Sequence, residues 1–474
     1  MQETCAIEIE DGVKITASFN LNDMTAHTLL EYEDWFEPEI KFIRSFIAPG
    51  MNAYDIGANH GVYAFAMAAR LAGDGHVWAF EPTRKPLAML AASLAANDFA
   101  GRVTVVPCAL SDRAGVSRMG VSALSETSSL HYGEGETEEV RLQTLDAVWR
   151  EQGEPRIDFI KLDAEGEEEN ILKGGRRFFA EQSPLLMFEA KNSDQHNLAL
   201  LQAFRDMGYD LFRLPPGLGC LTPFDDGEEL DPFQLNLFAC KPDQAARLES
   251  RELLISRPAI MPTGDLMLRR PLAARSYAAA FASGWRKADE AVGCLLAAEE
   301  RDRDPASRRD LLLHSLALLE NDPHPSACFT QIRGLRAVGR YADALWRLRR
   351  LPVMEPAALA AALTERPFAP PFPAWDDRPA ADGDAAAWCA AVLADAWVSC
   401  SHYSIFFDQA TWPHLWAQRD NPNLTAGMRR RLLLPMLRMG ARGRIPPGCE
   451  DVLLRNGPEH RNADVWRRLL GAAA

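Results

Sequence analysis

Asp55-Ile56-Gly57-Ala58-Asn59-His60-Gly61, followed about twenty residues later by Phe80-Glu81-Pro82, is the stretch on which the reading of this chain turns. Residues 52–56 read as a short apolar strand, 62–71 as the helix that follows the loop, and 76–80 as a second strand. Small residues at such a strand-to-helix turn let backbone N–H groups approach a ligand. A carboxylate just beyond the second strand accepts hydrogen bonds from a ribose. Alone, the loop says only that a nucleotide-type cofactor is held.

Working outward, β-rich apolar runs alternate with helical patterns from about residue 50 to 243. That alternation predicts an α/β domain with a mainly parallel sheet. The second helix is expected over 85–97, the third strand over 103–110 and the fourth over 157–162. A helix follows over 167–180, then a fifth strand over 185–189, a helix over 198–207, and closing strands over 209–214 and 233–240. Residues 115–143 alternate around Gly133 and Gly135 and read as a β-excursion. Residues 1–48, with Trp35-Phe36-Glu37-Pro38-Glu39, are expected to pack as an N-terminal cap.

Beyond Lys241-Pro242 the texture becomes all-α. Helices are expected near 274–300, 306–320, 327–335, 340–350, 384–400 and 425–440, with a proline-rich break over 367–379 separating two parts. The domain expectation is therefore 1–48, 49–243 and 244–474. Gly339-Arg340-Tyr341-Ala342-Asp343-Ala344-Leu345 resembles the helix entry of a tetratricopeptide repeat. A single good copy leaves an irregular bundle equally open.

The chain has 474 residues and a net charge of −15. Residues 1–243 carry 20 Lys+Arg against 40 Asp+Glu, whereas 244–474 carry 31 against 26. A strongly acidic first half argues against nucleic acid as a partner. The arginine excess of the second half reflects either base composition or a docking surface for an acidic partner. No apolar run reaches the ~20 residues of a membrane helix. The first residues lack a secretory pattern, and the nine cysteines are scattered. A cytoplasmic protein with reduced core thiols and no bound metal is expected.

Spacing narrows the cofactor. The loop lacks the third glycine of a dinucleotide fingerprint, and Asp55 at its start suits a ligand with an ammonium group. S-adenosylmethionine has one on its methionine moiety. Glu81 then suits the ribose hydroxyls, and Asp112, at the end of the third strand, the adenine amino group. Helix capping would explain any one of these carboxylates, but three at successive strand ends form a joint signal.

The ordered motifs resemble the FkbM family of S-adenosylmethionine-dependent methyltransferases over about residues 30–243. They read Asp55 to Gly61, Phe80-Glu-Pro82, Ala109-Leu-Ser-Asp112, Thr144-Leu-Asp146, Asp158-Phe-Ile-Lys-Leu-Asp-Ala-Glu-Gly166, Leu172-Lys-Gly174, Pro184-Leu-Leu-Met-Phe-Glu189 and Asn236-Leu-Phe-Ala239. The resemblance implies a class I Rossmann-like domain with cofactor contacts at Asp55, Gly57, Ala58, Asn59, Gly61, Glu81, Ala109, Ser111 and Asp112. It also implies methyl transfer to a hydroxyl of a sugar or glycan, with a small secondary metabolite as the alternative acceptor. Ala164 and Glu167 stand where members more often carry Val and His, a change that bears on the acceptor.

Methyl transfer to oxygen needs alignment and a base. Lys161, Asp163 and Glu165 alternate on one strand end and face one cleft, and Glu189 ends the neighbouring strand. Asp163 is expected to touch cofactor and acceptor, and Glu165 or Glu189 to act as base or anchor.

Other residues are weaker candidates. His60 reads as a packing or capping group before a base. Ser128, Ser129 and His131 lack a hydrolase elbow. Glu167, Glu168 and Glu169 suit a helix first turn more than a metal. The aromatic stretch from His402 to Trp416 reads as core packing ahead of a sugar surface. A degenerate domain with a helical interaction scaffold, and an NAD-dependent sugar oxidoreductase, are the rival readings. The second lacks a Tyr-x-x-x-Lys pair in 50–243. The helical half is expected to recognise a carrier, a glycosylated protein or a partner enzyme, or to mediate self-association.

Overall fold

The computed structural model describes residues 3–120, 137–189, 191–192, 195–225, 231–260, 276–277, 290–441 and 445–471. An antiparallel hairpin of β1 (Thr4–Glu8) and β2 (Lys14–Ser18) opens the chain, followed by α1 (Met24–Tyr32) and α2 (Glu39–Phe46). Asp23 caps α1 by accepting from the Ala26 N–H at 3.2 Å.

The α/β region follows as β3 (Asn52–Ile56), α3 (Val62–Arg70), β4 (His76–Phe80), α4 (Arg84–Ala96), β5 (Val103–Val106), β6 (Ala109–Leu110), β7 (Gly115–Gly120), β8 (Thr137–Gln143) and α5 (Leu145–Glu151). It continues through β9 (Phe159–Leu162), α6 (Glu168–Gly174), α7 (Arg176–Glu181), β10 (Leu185–Glu189), the short pair β11 (Lys191–Asn192) and β12 (Gln195–His196), and α8 (Leu198–Asp206). The closing strands are β13 (Asp210–Arg213), β14 (Thr222–Pro223) and β15 (Asn236–Cys240).

Eight of these strands form one sheet in the order β14-β13-β15-β10-β9-β3-β4-β5. The five from β10 to β5 are parallel, and β15, β13 and β14 close the other edge antiparallel. Chain order reverses between β3 and β9, so the crevice outside their carboxyl ends is where such a sheet receives a ligand. On the cap side Phe42 packs edge-on to Phe238 at 5.1 Å, and Phe46 lies 5.8 Å from Phe159.

The α/β expectation is met, with local corrections. The third strand does not run through 103–110. Pro107 offers no N–H to the ladder, and the chain turns there, Cys108 donating to the Val106 carbonyl at 2.9 Å. β6 then joins a separate three-stranded sheet with β8 and β7. The helix expected over 167–180 is two helices, broken at Gly175, where a Cβ would lie 2.7 Å from the Leu145 side chain. Of the β-excursion, Ser128, Ser129, His131, Gly133 and Gly135 lie outside the described residues.

After Cys240 no strand occurs among the described residues. The helices are α9 (Pro242–Ser250), α10 (Glu290–Ala298), α11 (Pro305–Leu319), α12 (Pro325–Ala337), α13 (Tyr341–Arg350), α14 (Pro356–Leu363), α15 (Ala385–Ser401), α16 (Trp412–Ala417), α17 (Ala426–Arg438), α18 (Cys449–Leu453) and α19 (Ala463–Leu470). Of the helix expected near 274–300, only α10 falls on described helical residues. The proline-rich stretch is packed and does not act as a linker. Phe368 and Trp375 are fully buried, the Trp375 indole N–H donates to Asp395 at 2.8 Å, and Asp376 pairs with Arg333 at 2.7 Å.

The cap is wedged between both halves. Glu31 is buried and accepts from Ser404 Oγ at 2.5 Å and from Arg431 at 3.1 Å. Glu33 accepts the Arg461 N–H at 2.9 Å and lies 2.8 Å from His460. Burial opposes its charge, but the His460 and Arg430 contacts hold it down at about 2. Asn462 exchanges two hydrogen bonds with the Glu8 backbone at 2.7 and 2.9 Å. A buried carboxylate is tolerated where it is paired this fully. All nine cysteines are free and buried, and no described helix is long and apolar enough to cross a membrane.

Candidate active site

The loop after β3 is shaped by backbone geometry that only small residues satisfy. Gly57 has φ +78°, and a Cβ on it would lie 1.8 Å from the Asp163 carbonyl oxygen. The chain leaving β3 therefore runs directly against the chain leaving β9. Gly57 and Ala58 donate to the Phe80 carbonyl at 3.1 and 2.9 Å, which ties the loop to the end of β4 as well. Gly61, at φ +88°, starts α3, and a Cβ there would fall 2.4 Å from the Phe65 ring.

Glu81 joins two loops through one carboxylate. Its Oε2 accepts the Asn59 N–H at 3.0 Å, and its Oε1 accepts the Thr83 N–H at 2.8 Å and hydroxyl at 2.5 Å. The side chain is buried, and burial raises its affinity for a proton against the pull of those donors. His60 is buried with Nδ1 2.6 Å from Asn59 Oδ1 and 3.4 Å from Thr25 Oγ1, so it pins the loop to α1 as a packing group.

These loops wall a cavity of about 230 Å³ at the carboxyl end of the sheet. Asp55 is fully buried on its wall, and no hydrogen bond closes on either carboxylate oxygen. Lys161 Nζ stands 3.9 Å away, and the Ala64 N–H acts on it only at longer range. Burial lifts the Asp55 carboxyl to about 6, opposed by Lys161 and reinforced by Asp163. Lys161 itself is pinned 2.8 Å from Asp163 Oδ2 and 5.4 Å from the Tyr63 ring centre. Burial disfavours its charge, but Asp163 and Asp55 outweigh it and hold the ammonium charged.

Across the cavity, burial together with Asp163, Glu165, Glu37 and Glu168 pushes the Glu189 carboxyl up to about 9. Glu168 clamps the intervening turn by accepting the Ala164 and Gly166 N–H groups at 2.9 and 3.2 Å. Glu165 holds φ +50° in that turn.

Asp55, Gly57, Ala58, Asn59, Glu81, Ala109, Lys161, Asp163, Glu165 and Glu189 thus line one cavity. Gly61 supports the wall from behind. Ser111 and Asp112 do not reach it, because the turn at Pro107 carries the chain into the small sheet. Ser111 Oγ instead donates to Glu167 at 2.8 Å, and Asp112, 38% exposed, pairs with Arg113 at 3.0 Å. Glu167 is buried, lines the cavity and also accepts from Asn170 at 3.2 Å.

Sequence reasoning missed Glu37, Tyr63, Trp35 and Phe36, which face the same cavity from the cap and from α3. The Tyr63 hydroxyl donates to Glu37, whose carboxyl is raised by burial. The amphipathic run Trp35 to Glu39 was the only signal for the three cap residues, and nothing in its spacing marks a site.

Residues 55–211 match the family described as Methyltransferase FkbM domain. Over these residues the chain is similar to FkbM methyltransferases. The FkbM match is narrower than the 30–243 expected. The chain is 32% identical over 161 residues to the 31-O-demethyl-FK506 methyltransferase FkbM of Streptomyces tacrolimicus, covering 27% of this chain and 60% of that one. It is 31% identical over 152 residues to methyltransferase sdnD of Sordaria araneosa, covering 25% and 58%. The chain therefore spans about three fifths of the length of these curated relatives. A crystal structure of methyltransferase FkbM from Methylobacillus flagellatus KT is similar at 20% identity over 40% of this chain and 43% of that one, with a TM-score of 0.28.

Proposed function

We propose that the protein transfers a methyl group from S-adenosylmethionine to a hydroxyl of a sugar or glycan acceptor in the cytoplasm. The observation that carries the reading is Asp55. A fully buried carboxylate with no hydrogen bond closed on it, and with Lys161 Nζ only as near as 3.9 Å, is costly unless closer contacts complete it, and the ammonium of the cofactor's methionine moiety supplies them. Glu81, held in place by three donors, fits the ribose hydroxyls, and Gly57 and Ala58 leave the backbone open to approach. When bound, S-adenosylmethionine supplies a methyl carbon on a positively charged sulfur.

The chain's own groups then orient the acceptor. Lys161 fixes Asp163, 39% of whose side chain is exposed, so that its free oxygen can take the hydroxyl proton. Glu189, lifted to about 9, keeps its proton at neutral pH and serves as a hydrogen-bond donor to the acceptor. The FkbM match supports methyl transfer, and the name of the S. tacrolimicus relative supports oxygen as the acceptor atom. The sugar class rests on the family resemblance.

Calorimetric titration of the full chain with S-adenosylmethionine tests the reading. Binding is expected to be flat above pH 7 and to weaken as pH falls through about 6, where Asp55 protonates. Asp55→Asn should lose about tenfold or more in affinity and also lose that pH dependence. Absence of heat from the unmodified chain at any pH would sink the proposal.

Glu189 makes a separate prediction. Its folded value lies above the usual 4.5, so the folded state holds a proton that the unfolded chain releases. Stability therefore falls as pH rises from 4.5 to about 9. Glu189→Gln should be more stable than the parent at pH 8, by of order 1–2 kcal/mol after discounting for partial exposure. The gain should vanish below pH 4.5. Thermal melts across pH check it, and an equal difference at pH 4 and pH 8 would refute it.

A further inference from the structure

The cavity opens past Trp35, Phe36, Glu37 and Leu235, which border both it and a far larger groove of about 1470 Å³. That exceeds the roughly 300–1,000 Å³ of an ordinary small-molecule site. Its walls come from the cap, the α/β region and the helical half. Phe36 and Phe233 flank the Tyr403 ring at 6.0 and 5.6 Å, which gives the groove an aromatic floor at the join.

Most groove arginines are spoken for. Arg333 pairs with Glu299 and Asp376, Arg431 with Glu31 and Asp395, and Arg430 with Glu33. Arg308 spends its guanidinium on three backbone carbonyls. Arg336 differs. It lies 5.1 Å from the ring centres of both Tyr341 and Phe372, and one nitrogen donates to the Ser399 carbonyl at 2.9 Å and reaches Cys400 Sγ at 3.9 Å. Among the described residues no carboxylate lies within ion-pair range of it. A guanidinium stacked against rings keeps its in-plane N–H groups for a planar or tetrahedral oxyanion.

Resting on the methyl-transfer reading, we infer that the acceptor is an extended sugar compound carrying a carboxylate or phosphate, and that Arg336 of the helical half binds this oxyanion in the groove. Charge sets the direction of entry. The end at the methyl cavity is lined by Asp163 and Glu165, whose carboxylates repel an anion and accept a neutral hydroxyl. The oxyanion belongs in the groove beyond that end, on Arg336, which has no partner carboxylate among the described residues. The helical half thereby becomes a specificity element for the reaction.

The test is calorimetry of the full chain against three probes: tetragalacturonic acid for the carboxylate source, UDP-glucose for the phosphate source, and neutral maltotetraose. At least one anionic probe should bind about tenfold or more tightly than maltotetraose, and its affinity should fall as sodium chloride is raised. Arg336→Gln should lose about tenfold in that probe and leave S-adenosylmethionine affinity within about twofold. Which anionic arm responds identifies the source.

If Arg336→Gln does not fold, the salt dependence and the anionic-to-neutral ratio of the unmodified chain decide. Equal binding of all three probes, no binding of either anionic probe, or an Arg336→Gln variant that binds them as the parent does would overturn the inference. Loss of S-adenosylmethionine binding with the Arg336 response intact would instead sink methyl transfer and leave the anion site standing.

Discussion

Gly57→Ala is expected to destabilise the protein by about 3 kcal/mol or more and to remove cofactor binding. Two independent costs act at this position. The backbone sits at φ +78°, which disfavours any side chain, and the added Cβ would lie 1.8 Å from the Asp163 carbonyl oxygen. The obstacle is backbone, so no rotamer change relieves it. The two chain segments, joined by the Asp163 N–H to Ile56 carbonyl hydrogen bond at 3.1 Å, would have to separate. That separation moves Asp163 away from Lys161 and opens the cradle around Asp55. Thermal melts should show a fall of roughly 3 °C or more. Gly73→Ala is the control, because it shares a positive φ of +68° but meets nothing within 4 Å, and should cost about 1 kcal/mol. Equal melting temperatures for the two variants would refute the close-approach argument.

Glu81→Ala is expected to weaken S-adenosylmethionine binding by about 100-fold or more, since two hydrogen bonds to a charged acceptor contribute about 1.5–3 kcal/mol each. The same change leaves the Asn59 N–H and the Thr83 N–H and hydroxyl without their acceptor, so the loop itself slackens. Glu81→Gln separates the two effects. It retains one oxygen for the loop but loses the charge and half the acceptor capacity, and should fall between the parent and the alanine variant. A loss below about threefold in Glu81→Ala, measured by calorimetry on folded protein, would remove Glu81 from the cofactor site.

The legible part of this site was the part encoded locally. Asp55, Gly57, Asn59 and Glu81 stand within a strand-loop-helix-strand segment, where positive φ, close backbone approach and strand-end position each restrict residue type. Lys161 and Asp163 were legible for the same reason, being two apart on one strand and so on one face. Asp112 shows the limit of that logic. Its spacing matched an adenine contact, but Pro107 breaks the strand and diverts the chain before Asp112 can reach the cavity. The proline-rich stretch over 367–379 read as a separator because composition does not reveal that Phe368 and Trp375 are buried.

What the amino-acid sequence determined by itself was the α/β order, the cradle after the first parallel strand and the all-helical character of the second half. Periodicity, glycine placement and strand ends are short-range properties, and they survive reading one segment at a time. Only the tertiary structure brought Glu37 and Tyr63 of the cap and α3 against Lys161, raised Glu189 by burying it among other carboxylates, and joined the cavity to a groove lined by Arg336. Those features depend on which distant segments share a buried volume and on which charges face one another across it. Packing decides both, and no motif spacing carries either.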